Sequence, residues 1–195
     1  MQAHSVSGLN LVSPINHRPN ALYLYPTIPD WHCEPETITS TLDAIGLIAD
    51  AIPDKPNCFF TGSQFLNLIT FLGCAPTIQF DATHDRAEFC FIRLISTDDI
   101  KLIKTSSLSR PPHCPHCKKA VKRWQDYSTE TAWECPHCAN TAPAYDYDWR
   151  RTAGFARIFI EITDIYPKEA IPQPSFLKNL ATHTSVDWDY FYYCA

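Results

Sequence analysis

Glycine is scarce, with five in 195 residues, and the shortage narrows the kinds of site the chain can build. No glycine-rich phosphate loop, nucleophile elbow or metalloprotease helix motif occurs. Long apolar runs are lacking too. None approaches the roughly 20 residues that a spanning helix needs, and the opening MQAHSVSGLNLVSPINHRPN has neither a basic start nor an apolar signal core. The expected location is therefore the cytoplasm, with no membrane association. In that reducing compartment nine cysteines, an odd number, do not read as a disulfide framework, which leaves metal ligation and burial. Basic residues are also in deficit, 16 against 21 acidic ones for a net charge of -5, so the surface as a whole is not built to coat nucleic acid.

What the chain does have is apolar material. Hydrophobic residues make up 45% and aromatics 13%, against 19% charged, enough to order a core. The length suits one core plus a small appended module. Charge is unevenly placed: from Lys101 to Arg157 ten Lys and Arg face five acids, whereas the remainder carries six against sixteen.

Along the chain, the first 35 residues show no sustained period and read as an extended arm over the core. Ile38, Leu42, Ile45, Ile48 and Ile52 recur at helical spacing, predicting a helix over 36–52 that Pro53 stops. Phe65, Leu68, Ile69 and Leu72 predict a second over 63–72, with Ser63 as N-cap and Gly73 as C-terminal cap. Residues 87–96 alternate as a strand, 100–104 add a short one, and TSSLSRPP over 105–112 reads as a linker. A strand follows over 155–163 with Ile158, Ile160 and Ile162 on one face, then a short helix from Ser175 and an aromatic strand over 186–193. The expectation is an α+β fold: a small mixed β-sheet with a few helices, its body formed by residues 1–110 and 142–195, and a cysteine hairpin inserted at 111–141.

That insert carries the strongest signal. Cys114-Pro-His-Cys117 and Cys135-Pro-His-Cys138 are separated by 17 residues, a spacing at which two tight turns can aim four sulfurs at one tetrahedral ion about 2.3 Å from each. The intervening VKRWQDY and ETAWE segments are expected to pair as the hairpin, with Trp124 and Trp133 covering the metal flank. Over about residues 111 to 141 the chain resembles the zinc-ribbon group, whose members share paired cysteine knuckles on a small β-hairpin unit and often act as docking elements. Many such knuckles place Gly after the second cysteine, where this chain has Lys118 and Ala139. The reading is one structural Zn2+ held by Cys114, Cys117, Cys135 and Cys138, with a closed shell and no open catalytic position.

CPHC is also the active-site tetrapeptide of DsbA-like thiol oxidants, where the first cysteine is an exposed nucleophile at a helix start. Two copies at metal spacing, without a thioredoxin-type strand and helix, favour the metal. His113, His116 and His137 then read as turn residues or donors around the site rather than ligands. The remaining thiols Cys33, Cys58, Cys74, Cys90 and Cys194 read as inert, because free cysteine is among the most buried residue types. Arg157 and Glu161 on one strand face, with Arg150, Arg151 and Asp164 nearby, read as a surface ion-pair cluster, and Asp187 and Asp189 as a solvated strand face.

Three functions compete. Lys118, Lys119, Lys122 and Arg123, interleaved with Trp124, suit contact with phosphates and stacking on bases, so a non-enzymatic ribbon that docks on nucleic acid or a nucleoprotein assembly comes first. A protein-protein adaptor or inhibitor would instead use the aromatics of Trp188 to Tyr193 with Tyr23, Tyr25 and Trp31. An enzyme is third, since no constellation meets the geometric demands of a known reaction class.

Overall fold

The computed structural model describes residues 20–72, 78–80, 89–106 and 110–194. A six-stranded sheet forms the body. Its strands are β1 (Asn20–Pro26), β2 (Ile48–Ala51), β3 (Cys58–Thr61), β5 (Ile92–Lys104), β8 (Ala153–Thr163) and β10 (Trp188–Cys194), in the order β10-β1-β8-β5-β3-β2. Each pairing is antiparallel. The helices α1 (Pro35–Ile45), α2 (Phe65–Leu68) and α3 (Pro174–Thr184) complete an α+β fold. Two short sheets join it: β4 (Ile69–Phe71) with β9 (Ala170–Pro172), and β6 (Trp133–Glu134) with β7 (Thr141–Ala142).

The main core lies between one sheet face and the two longer helices. Ile158, Ile160 and Ile162 of β8 meet Leu22 and Leu24 of β1, Ile38 and Leu42 of α1, and Phe176 and Leu180 of α3. Each such side chain, fully buried, contributes about 1.5–3 kcal/mol of transfer free energy. The opposite face is covered as well, by Tyr23, Phe159, Phe191 and Tyr193. Tyr23 stacks on Phe191 at 5.1 Å and stands edge-on to Phe159 at 6.3 Å.

Several sequence expectations are corrected. Instead of an extended arm, the described part of the N-terminal stretch supplies β1, which sits inside the sheet between β8 and β10. The first helix ends at Ile45, not 52. Gly46 follows at φ 78° and donates its N–H to Asp43, a left-handed cap that glycine adopts without steric cost. Leu47 and Ile48 stay buried because β2 turns back beneath the core. A Cβ at Gly62 would lie 2.3 Å from the Gly46 carbonyl oxygen, so the end of β3 passes this cap in direct backbone contact.

The second predicted helix shrinks to the single turn α2, without a side-chain cap from Ser63. Ile69 to Phe71 extend instead to pair with β9, and Leu72 is exposed; Gly73 lies outside the described residues. The two strands expected at 87–96 and 100–104 are one ladder on β8. Ser96 pairs with Ile158 and Lys101 with Ala156, so the residues between them bulge out beside Arg157. The start of the supposed linker is anchored, because the Thr105 hydroxyl donates to the Cys194 carbonyl at 2.8 Å and accepts its N–H at 3.0 Å.

Glu161 is the sharpest correction. Expected on a solvated face, it is 1% exposed, because β1 and β5 flank β8 and bring Tyr23 and Arg93 against it. Tyr23 Oη donates to Glu161 Oε1 at 2.8 Å and Arg93 Nε donates to Oε2 at 2.5 Å. Burial, reinforced by the Glu161 charge, pushes the Tyr23 hydroxyl well above the ordinary tyrosine range. Burial opposes the Arg93 charge, but Glu161 outweighs it and holds the guanidinium above its usual value. Asp189 is also not free, since its Oδ1 lies 3.3 Å from Arg151 Nη1.

Candidate metal centre

Each knuckle is closed by its own backbone pairing. His113 bridges Ala120 around the first, and β6 pairs with β7 around the second. The expected pairing of VKRWQDY with ETAWE is therefore replaced by two local hairpins, and Trp124 to Asp126 form a 3-10 turn between them. Within each loop the same two hydrogen bonds recur. Cys114 N–H donates to Lys119 O at 3.0 Å and Lys118 N–H to Cys114 O at 3.0 Å; Cys135 N–H donates to Asn140 O at 2.9 Å and Ala139 N–H to Cys135 O at 2.9 Å. The closing residues Lys118 and Ala139 both take φ 58°. Identical tetrapeptides thus fold identically, with an L-residue in the left-handed region where glycine costs less.

A testable consequence follows from that strain. Ala139→Gly is expected to stabilise the module by about 0.5–1 kcal/mol, the left-handed penalty less the extra unfolded-state freedom of glycine. Resistance to chelator-induced unfolding is the measurement, and no gain would show that the turn is unstrained.

The four sulfurs all lie within 4.8 Å of one another. Cys114 Sγ is 3.8 Å from Cys138 Sγ, and Cys117 Sγ is 3.7 Å from Cys135 Sγ. These are far longer than a disulfide bond, and they match the edge of about 3.8 Å that a tetrahedron with 2.3 Å metal-sulfur bonds requires. Donors already face the sulfurs: His137 N–H points to Cys135 Sγ and Asn140 Nδ2 to Cys138 Sγ, each at 3.5 Å. The Asn140 side chain, then its backbone N–H, lowers the Cys138 thiol to about 6. Cys117 goes the other way, to about 11: the Lys119 N–H favours its thiolate, but burial and the neighbouring thiols outweigh that help. Four thiols crowded this closely cannot all ionise without a cation among them. The donor set fits one soft, four-coordinate metal ion.

Cys114 is fully buried and Cys135 nearly so, which removes the exposed nucleophile that the thiol-oxidant reading needs. Among the described residues no histidine joins the cluster. His137 Nε2 instead lies 3.1 Å from the Ala120 carbonyl, tying the second knuckle to the strand leaving the first. Cys58 and Cys90 are buried, and burial raises the half-buried Cys33 thiol; Cys74 lies outside the described residues.

An aromatic wedge joins the knuckles to the body. Trp124, Trp133, Tyr147 and Trp149 pack with Cys114 and Cys135 on one side and with Phe155 of β8 on the other. Trp124 stands edge-on to Trp149 at 4.9 Å, and Trp149 Nε1 donates to the Ala144 carbonyl at 2.9 Å. Trp124 is consequently 6% exposed: its ring packs in the wedge and, contrary to the sequence expectation, is not free to stack on a base. Lys118, Lys119, Lys122 and Arg123 are all exposed. Arg123 pairs with Asp126 at 2.8 Å, whereas Lys118, Lys119 and Lys122 have no ion pair among the described residues. Of the aromatics put forward for a protein partner, Tyr23, Trp188, Phe191 and Tyr193 are buried, leaving Tyr25, Trp31, Tyr190 and Tyr192 partly exposed. The chain matches no family model, no curated protein and no solved structure.

Proposed function

We propose that the cluster holds one structural zinc ion, and that the module it fixes docks on nucleic acid or a nucleoprotein assembly through Lys118, Lys119, Lys122 and Arg123. Zinc suits four thiolates because it has no geometric preference against a tetrahedron and no redox chemistry of its own. Such a site carries about two net negative charges, from four thiolates and one dication. The observation behind the docking reading is the row of exposed lysines, without an ion pair among the described residues, at the exit of the first knuckle.

With Trp124 buried, the contact is electrostatic: it positions a phosphate backbone and reads no base. Binding should be insensitive to sequence and strongly salt-dependent. Replacing Lys119 and Lys122 by Gln removes two phosphate contacts away from the strained turn. The slope of log K against log salt should flatten by about 1.4 on single strands and about 1.8 on duplex DNA, at about 0.7 and 0.9 per contact. Equal affinity and slope in the variant and the parent would overturn the docking surface. Elemental analysis of the native protein should return one zinc per chain.

A further inference from the structure

We propose that the cleft between the turn leaving the cysteine module and the end of β10 binds a nucleoside diphosphate. The cavity has a volume of about 460 Å³, within the range of small-ligand sites. Arg110, Arg150, Arg151 and Lys168 line it together with Tyr190 and Tyr192, and among the described residues no Asp or Glu lines it. That concentration of positive charge stands on a chain of net charge -5. Two other cavities differ in kind. One of about 510 Å³ shares Arg150 and Arg151 but sets Asp148 and Asp189 beside them, and one of about 640 Å³ includes Asp30, Asp98, Asp99 and Glu130. Of these three, only the 460 Å³ cleft has charged lining residues of positive sign alone among the described residues.

The backbone points the same way. Arg150 and Arg151 occupy both corners of a turn closed by Thr152 N–H donating to Trp149 O at 3.1 Å, with φ of 54° and 59°. A turn of this hand favours Gly, Asn or Asp at the corners. Lys168, on the facing wall, also sits at φ 66°. Three cations therefore occupy backbone positions where a smaller residue would fold more easily, a form of strain that clusters at ligand sites.

The Arg151 guanidinium is held in place, 3.8 Å from the centre of the Tyr190 ring and bonded to Asp189. Arg110, Arg150 and Lys168 have no ion pair among the described residues. With Arg151 largely offset by Asp189, the free charge matches the two to three negative charges, roughly, of a diphosphate at neutral pH. Forked guanidinium donors suit phosphate oxygens. Tyr192 is anchored by its hydroxyl donating to Ala170 O at 2.7 Å and stands edge-on to Tyr190 at 5.9 Å; because Arg151 lies over the Tyr190 ring, the Tyr192 ring is the one on which a flat base can stack.

The turn allows a test that does not endanger the fold. Glycine at position 150 or 168 removes the cation and relieves the backbone, so Arg150→Gly and Lys168→Gly should melt no lower than the parent. Calorimetric titration of the zinc-loaded full chain with ADP, pyrophosphate and adenosine is the measurement. ADP should bind, pyrophosphate should compete but more weakly, and each glycine variant should lose tenfold or more in ADP affinity. Absence of ADP binding at about 1 mM, a limit of about -4 kcal/mol, would overturn the site. So would unchanged ADP affinity in a variant that combines Arg150→Gly with Lys168→Gly. Oligonucleotide binding that depends on Lys119 and Lys122 is read separately, so either assignment can fail without the other.

Discussion

Stripping the metal with a strong chelator is expected to unfold the cysteine module while most of the six-stranded sheet survives. Apart from the aromatic wedge, the module has little else to hold it. Its only regular pairing is the two-residue β6–β7 ladder and single bridges at His113, far below what an isolated hairpin needs in water. Zinc binding by such sites supplies about 10–16 kcal/mol of apparent folding free energy at neutral pH. The sheet, by contrast, has its own core around Ile158, Ile160 and Ile162. Three of the five tryptophans, Trp124, Trp133 and Trp149, lie in the wedge beside the knuckles. Chelation should therefore shift tryptophan emission to the red and leave most of the far-ultraviolet strand signal. Cys135→Ser should reproduce that state without chelator. Loss of all structure at once would instead show that Phe155 couples the module to the sheet cooperatively.

The same experiment has a pH arm. Metal competes with protons for the thiolates, and a thiol raised as Cys117 is, to about 11, must release its proton on loading. Affinity should fall as pH falls, and loading at pH 7 should acidify a weakly buffered solution. Metal uptake without proton release would mean that fewer than four thiolates bind.

Glu161→Gln is the second large effect, expected to cost about 2–3 kcal/mol of stability. Breaking a buried ion pair by removing one partner costs about 3–5 kcal/mol because a charge is stranded. The Arg93 side chain keeps 23% exposure, so water recovers part of that penalty. Tyr23 loses a charged acceptor at the same time. The discriminating variant is Glu161→Leu combined with Arg93→Met, which removes both charges and should regain much of the loss. Denaturant midpoints measure both. A Glu161→Gln protein as stable as its parent would show that the pair is solvated in solution.

The cysteine cluster was legible in the sequence because ligand geometry there is local. Two residues between cysteines make one tight turn, the turn recurs with the same hydrogen bonds at Cys114 and Cys135, and no distant contact is needed to aim the sulfurs. The inward faces of β5 and β8 were legible for a similar reason, since alternation at Ile92 and Leu94 and at Ile158, Ile160 and Ile162 needs only one buried side. Alternation does not say whether the other side is covered, however. Glu161 reads as solvent-facing until β1, more than a hundred residues earlier in the chain, is laid against β8 with Tyr23 opposite it. The same holds for Trp124, whose indole looks available until Trp149 closes on it. Residues 36–52 kept a helical period beyond Gly46 because Ile48 is buried in a strand as well as it would be in a helix. Arg150 and Arg151 read only as members of a surface ion-pair cluster and Lys168 carried no signal: they become one cationic cleft only when the turn, β10 and the chain before β9 meet in space. Grouping of the four cysteines is a short-range property of spacing, and the chain alone determined it; burial of charge and convergence of cations depend on which strands become neighbours, and that only the tertiary structure decided.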